Sequence, residues 1–262
     1  MKSINRSLRL LIAGVSCELV LDNDDELRKY FKKRFFIHDR SPKSKIRIVI
    51  KRETTRYIMI SSPLKVMAEF PLTTIKEGIN SVLTAFLEFN LIDRGIILLH
   101  ASGFERKGSA FLFPGRSGSG KTTVLTNAPT ANRIADDVAV IRKVRGNHLV
   151  YYSTLDFGRI KRKPTNKPAL LKKIFILKKS KKIETKPVSF RDFFSMILNN
   201  DYLGMAGLLN QRSKKEDKIT IDNFREYKRL INKHNRNLIN LYSSVKIKKL
   251  FFPKKFNWLD IK

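Results

Sequence analysis

The chain has 262 residues, of which 42% are hydrophobic, and 18 are Phe. That supports one compact domain, or one domain with a small appendage, and excludes wholesale disorder. Cys17 is the single cysteine, so a disulfide framework and a cysteine-based zinc site are excluded; the four histidines, His38, His100, His148 and His234, have no ligand-like spacing.

The charge is the outlier. Against 23 acidic residues stand 54 Lys and Arg, a formal net charge of +31. Such a surface attracts anions: nucleic acid, acidic lipid, nucleotide or an acidic protein. The basic residues are spread along most of the chain, however, in a sequence also rich in Asn, Ile and Phe. The densest runs, Lys161-Arg162-Lys163 and Lys178-Lys179-Ser180-Lys181-Lys182, lack interleaved stacking aromatics. Compositional drift accounts for such a pattern, and nucleic acid is not the favoured partner. No apolar run reaches the roughly 18 residues of a membrane span. The basic start and the apolar stretch Leu8 to Val15 are broken by Arg9 and run on into a strand-like segment. A cytoplasmic protein is expected rather than a secreted one.

In chain order, Arg9 to Val15 and Cys17 to Leu21 read as strands. Asp22-Asn23-Asp24-Asp25 is a turn and helix cap, and Glu26 to Phe36 has helical spacing. Ser41-Pro42-Lys43-Ser44 breaks the chain. Lys45 to Ile50 and Arg56 to Ile60 alternate like half-buried strands. From Thr73 to Asp93 the period changes: Ile75, Ile79, Val82, Leu83, Phe86, Leu87 and Leu91 fall on one helical face. Two strands follow, Ile96 to His100 and Ser109 to Pro114, with a hairpin turn at Arg106-Lys107-Gly108. Ile134 to Ile141 is acidic in front and strand-like behind. Leu149 to Tyr152 and Lys173 to Leu177 read as strands, Phe190 to Leu198 and Phe224 to Tyr242 as helices, and Val245 to Phe252 as a closing strand. There is no internal repeat and no low-complexity linker.

The strongest signal is Gly115, Arg116, Ser117, Gly118, Ser119, Gly120, Lys121 and Thr122, which fits G-x-x-x-x-G-K-[ST] at every defined position. An apolar strand precedes it, and Thr123-Val124-Leu125 can open a helix after it. Glycines let backbone N–H groups converge on phosphate oxygens. The helix presents its positive end, Lys121 neutralises the β- and γ-phosphates, and the Thr122 hydroxyl suits Mg²⁺. The helix is expected to be short, because Ala128-Pro129 breaks it. The second signal is Asp136-Asp137, ahead of the apolar Val138 to Ile141. Two adjacent carboxylates beside Mg·ATP can divide metal binding from proton removal. The third is His100, at the end of an apolar strand, where a lone His is more often structural than chemical.

Together, Leu99-His100-Ala101-Ser102, then Phe111 to Thr123, then Ile134-Ala135-Asp136-Asp137 resemble HPr kinase/phosphorylase and its relatives in composition and order. The resemblance is carried by residues 96 to 141. It implies an α/β fold: a P-loop, phosphoenolpyruvate-carboxykinase-like mixed sheet with flanking helices. The kinase domain would span residues 73–262, behind a small α+β portion at residues 1–72. It implies ATP and Mg²⁺ as cofactors, with Gly115 to Thr123 on the nucleotide and Thr122 and Asp137 on the metal. Asp136 would be the general base, a role exchangeable with that of Asp137. His100 and Lys121 would contact the transferred phosphoryl. A further acid is expected downstream, where Asp156 is roughly placed. Lys161, Arg162 and Lys163 are expected beside the site, attracting an acidic acceptor. The acceptor would be a hydroxyl, serine foremost, of a protein, peptide or small molecule, and an oligomer is in keeping with the family. Two alternatives remain open: a nucleotide switch or ATPase without an acceptor, and a basic protein that binds nucleic acid or a membrane surface.

Overall fold

The structure, a computed structural model, describes residues 7–22, 25–34, 46–53, 56–62, 66–71, 77–116, 118–128, 132–152, 167–198, 218–221, 224–258 and 261. It is a mixed α/β protein dominated by two sheets. Ser117, Asp156 and the Lys161-Arg162-Lys163 run lie outside the described residues. No helix among the described residues is long and apolar enough to cross a membrane.

The first sheet has six strands: β1 (Ser7–Ile12), β2 (Val15–Asp22), β3 (Ile46–Arg52), β4 (Arg56–Ser62), β5 (Val66–Pro71) and β13 (Lys218–Ile221), side by side in that order. β2 and β3 are parallel, joined through α1 (Asp25–Arg34), and the other pairs are antiparallel. Leu27 and Phe31 of α1 are buried in the same core as β1 to β3. β5 and β13 were not expected from the sequence. Val66–Pro71 is short and interrupted by Glu69, and among the described residues four-residue β13 pairs with β5.

The second sheet has eight strands. β10 (Asn147–Tyr151), β9 (Val138–Val144), β6 (Ile96–Arg106), β7 (Ser109–Pro114), β11 (Ala169–Lys179), β14 (Lys246–Phe252) and β12 (Glu184–Pro187) are neighbours in that order, and β8 (Asn132–Ala135) also pairs with β6. β10 pairs back onto β11, so five of the strands close a ring. Three turns are two-residue hairpins: Ala13-Gly14, Lys107-Gly108 and Arg145-Gly146. Both residues of each have positive φ, as the twist-matched hairpin turn requires. The expected strand from Ile96 to His100 runs on to Arg106, because its second half pairs with β7 and β8 where its first half pairs with β9.

α2 (Glu77–Leu91) and the short 3-10 turn Ile92–Arg94 lead into β6. Leu83, Phe86, Leu87 and Leu91 share one core with Leu10, Leu19 and Ile48 of the first sheet and Ile96, Leu98, Val138 and Val140 of the second. Ile97 and Leu99 belong to the opposite core, with Phe193 and Ile197 of α4 (Phe190–Leu198) and Leu238 and Leu241 of α5 (Phe224–Ser244). The first half of β6 is therefore buried on both faces, which is why Ile96 to Leu99 reads as an unbroken apolar run. Arg142 Nη1 donates to Ala13 O at 2.6 Å, tying β9 to the first hairpin. Asp93 and Glu226 both grip Arg229, joining the end of α2 to α5.

Cys17 sits in this closed core at 1% exposure, and burial pushes its thiol up to about 12. At pH 8 it should carry roughly a thousandfold less thiolate than an exposed cysteine. A disulfide reagent should leave the native protein unlabelled and label it once in denaturant. Rapid labelling under native conditions would contradict the closed packing of the first sheet.

Candidate active site

The phosphate-loop sequence leaves β7 at Pro114 and enters α3 (Lys121–Thr126), six residues long as the break at Ala128-Pro129 led us to expect. Gly120 caps the helix at φ 101°, a conformation that strains any residue with a side chain. The ring of Phe252 lies directly against it: a Cβ added at Gly120 would meet Phe252 Cζ at 2.5 Å. A Cβ at Gly115 would meet the Ser119 hydroxyl at 2.7 Å. Gly115 and Gly120 are thus required by two close approaches, one within the loop and one to Phe252 of β14. The buried Ser119 Oγ has no hydrogen-bond partner among the described residues. Lys121 Nζ folds over the loop, donating to Gly115 O and, at 3.2 Å, to Arg116 O.

β6 brings the other two signals to this loop. Gly115 N donates to His100 O at 3.3 Å, and Ala101 N donates to Asp137 O at 3.1 Å. β8 and β9 pair with the same edge of β6, and Asp136-Asp137 is the break between them. The acids therefore interrupt a strand-like run facing the middle of β6. His100 Nε2 lies 2.8 Å from Asp137 Oδ1. That hydrogen bond, with the charge of His100 when protonated and of Lys121, holds the Asp137 carboxyl below the usual carboxylate range, against the effect of its burial. Burial lowers the Lys121 ammonium from its ordinary value, and Asp137 and Asp136 oppose the shift. Both acids are thus within electrostatic reach of the loop lysine.

A cavity of about 380 Å³ opens over the loop. Arg116, Gly118, Gly120, Lys121, Thr122 and Thr123 line it from the loop and helix, and His100 and Asp137 from the strands. Asp136 is not among its lining residues. Lys179, at the end of β11, also lines it and was missed from the sequence. Nothing in a Lys-rich segment marks one lysine, and Lys179 meets the loop only because β11 lies beside β7. Among the described residues, no group of three or more His, Cys, Asp or Glu is placed to hold a metal ion. Mg²⁺ at a phosphate site takes one or two protein ligands, with phosphates and waters completing its shell. Thr122 and Asp137, lining one cavity, suit that demand, and the glycine cradle suits a phosphate chain.

The platform beneath the loop is aromatic. Trp258 meets Phe104, Phe113 and Phe175 edge to face, with centroids at 4.7, 5.4 and 5.6 Å. Gly120→Ala should destabilise the protein by about 1–3 kcal/mol, through backbone strain and the clash with Phe252. Adding Phe252→Leu to that variant should relieve the clash but not the strain. Denaturant melts of wild type, both singles and the double check this. A Gly120→Ala protein as stable as wild type would show that the Phe252 contact does not constrain the loop. No family model matches the chain, and neither does any of the curated proteins.

Proposed function

We propose that this protein is a Mg·ATP-dependent kinase, related to the HPr kinases, that transfers the γ-phosphoryl of ATP to a hydroxyl, serine foremost. The observation that carries the reading is the Asp137–His100 pair lining the same cavity as Lys121 and Thr122. A phosphate loop alone supports nucleotide binding. A carboxylate and an imidazole beside its lysine add groups for metal binding and phosphoryl positioning, which transfer chemistry needs. The mixed sheets around the loop are compatible with the phosphoenolpyruvate-carboxykinase-like P-loop fold that the resemblance implies. A cytoplasmic setting, where Mg·ATP is abundant, goes with the same reading.

In this reading the loop backbone and Lys121 hold the β- and γ-phosphates. Thr122 and Asp137 would hold Mg²⁺, which when bound neutralises charge on the phosphate oxygens. Asp137 suits that role because its lowered pKa keeps it ionised, which also makes it a weak base. Asp136 is then the base. It takes the proton of the acceptor hydroxyl as the acceptor oxygen bonds to the γ-phosphorus. The bond from the γ-phosphorus to the bridging oxygen breaks, and ADP leaves with that electron pair. His100 positions the phosphoryl group and orients Asp137.

Labelled-ATP transfer to serine, serine peptides and small hydroxyl compounds tests the reading, beside an ATP-binding titration. Lys121→Ala should strongly weaken ATP binding or turnover while leaving the fold intact. Asp136→Asn should lower transfer by about 10²–10⁴-fold while Mg·ATP still binds. Asp137→Asn should also weaken the apparent Mg²⁺ affinity, and His100→Ala should slow transfer less than Asp136→Asn. ATP consumption without any phosphorylated product would favour a nucleotide switch instead. Full transfer by both Asp variants would sink the kinase mechanism.

A further inference from the structure

A second cavity, of about 340 Å³, adjoins the first. Its lining is Thr123, Lys179, Ser180, Phe252 and Lys254. Thr123 and Lys179 line both cavities; among the described residues His100, Lys121, Thr122 and Asp137 line only the first. Each cavity falls within the range of small-molecule sites, roughly 300–1,000 Å³.

The walls of the second cavity are tied to the phosphate-loop helix. Lys179 lies opposite Phe252 in the parallel β11–β14 register, and Ser180 N donates to Phe252 O at 2.8 Å. Asn127, just after α3, donates through Nδ2 to Lys254 O at 3.4 Å and accepts from Phe256 N at 3.1 Å. The segment carrying Lys254 is thus anchored to the end of the helix whose start forms the loop. Phe252 itself packs against Gly120. The two cavities share Thr123 on the loop helix and Lys179 at the end of β11, and Phe252 of β14 lies on the second side.

The direction of a nucleotide follows from the loop's chemistry. The lysine of such a loop reaches the β- and γ-phosphates, and the hydroxyl after it serves the metal between them. The γ end therefore belongs with Lys121, Thr122, His100 and Asp137. The α end belongs on the side where those residues are missing and Thr123 and Lys179 remain. We propose that the second cavity receives the sugar-and-base end of the nucleotide, with Lys179 on the α-phosphate at the junction and Lys254 at the sugar. The positive rim suits this: two ammonium groups beside a hydroxyl offer charge-assisted hydrogen bonds to a phosphate and to ribose hydroxyls. This rests on the nucleotide reading of the loop and adds to it which side of the loop the nucleoside occupies.

The test compares calorimetric binding of Mg·ATP and of inorganic tripolyphosphate, which has the phosphate chain and no nucleoside. The variants are Lys254→Ala, which changes an exposed side chain, and Ser180→Trp, which fills the cavity. Both should lower ATP affinity by roughly tenfold, the worth of one charge-assisted hydrogen bond, and leave tripolyphosphate affinity unchanged. Lys121→Ala should weaken both ligands together. Unchanged ATP affinity in Lys254→Ala and in folded Ser180→Trp would overturn the placement while leaving the loop reading intact. Equal losses for ATP and tripolyphosphate would overturn it too, making the cavity a phosphate site. Failure of wild type to bind either ligand would overturn the loop reading itself, and the placement with it.

Discussion

The candidate site depends on the pairing of one strand with different partners along its two edges. β6 bonds to β7 on one side and to β8 and β9 on the other, and all of these meet at His100 to Gly103. The two backbone bonds there, Gly115 N to His100 O and Ala101 N to Asp137 O, join the start of the phosphate loop to the acidic break. A one-residue slip on either edge would turn side chains to the other face and separate Asp137 from His100. The slip is resisted because both faces of the first half of β6 are buried. Moving Ile96, Ile97, Leu98 and Leu99 by one position exchanges the contents of two cores at once.

The same economy of position holds beneath the loop. Phe104 and Phe113 extend from β6 and β7, Phe175 from β11 and Phe252 from β14, and Trp258 closes over the first three. Such edge-to-face pairs fix ring orientation as well as burying area. The chain's last described segment therefore supports a loop more than a hundred residues earlier, and the contact between Gly120 and Phe252 passes that support to the helix start. A loop of the kind proposed, with N–H groups directed at phosphate oxygens, would need this stiffness beneath it.

The large positive charge brings lysines against one another on the second sheet. Lys173 stands opposite Lys246 in the β11–β14 register, and its ammonium is lowered by burial and by Lys248, Lys246 and Lys172. Lys173 and Lys186 also lie over the Phe175 and Phe251 rings. At the site, by contrast, Lys121 is balanced by Asp136 and Asp137. Among the described residues, Lys121, His100 and Asp137 line one cavity here, and Asp136 lies within electrostatic reach of the lysine. The candidate site is thus set apart from the background charge by its acids rather than its bases.

Elements with a strong local signal were legible in the sequence. The helical face of Leu83, Phe86 and Leu87, the apolar run of β6, the hairpin at Lys107-Gly108 and the glycine pattern of the loop all follow from side-chain period or backbone geometry within a few residues. The glycine-lysine loop, His100 and Asp136-Asp137 were also singled out from the sequence, and the structure brings His100, Lys121, Thr122 and Asp137 to one cavity. What depends on long-range pairing was not legible. β5, β12 and β13 are strands of four to six residues, too short to set up a periodic pattern, and β12 and β13 pair with strands distant in the chain. The extension of β6 past His100, the hydrogen bond from His100 to Asp137, the pressure of Phe252 on Gly120, and the place of Lys179 and Lys254 beside the loop were decided by the tertiary structure alone. Local sequence specifies which dihedral wells and which face a segment prefers. It carries no information about which distant segment will lie across a sheet edge, because that is settled by the shared burial of cores that no one segment can form.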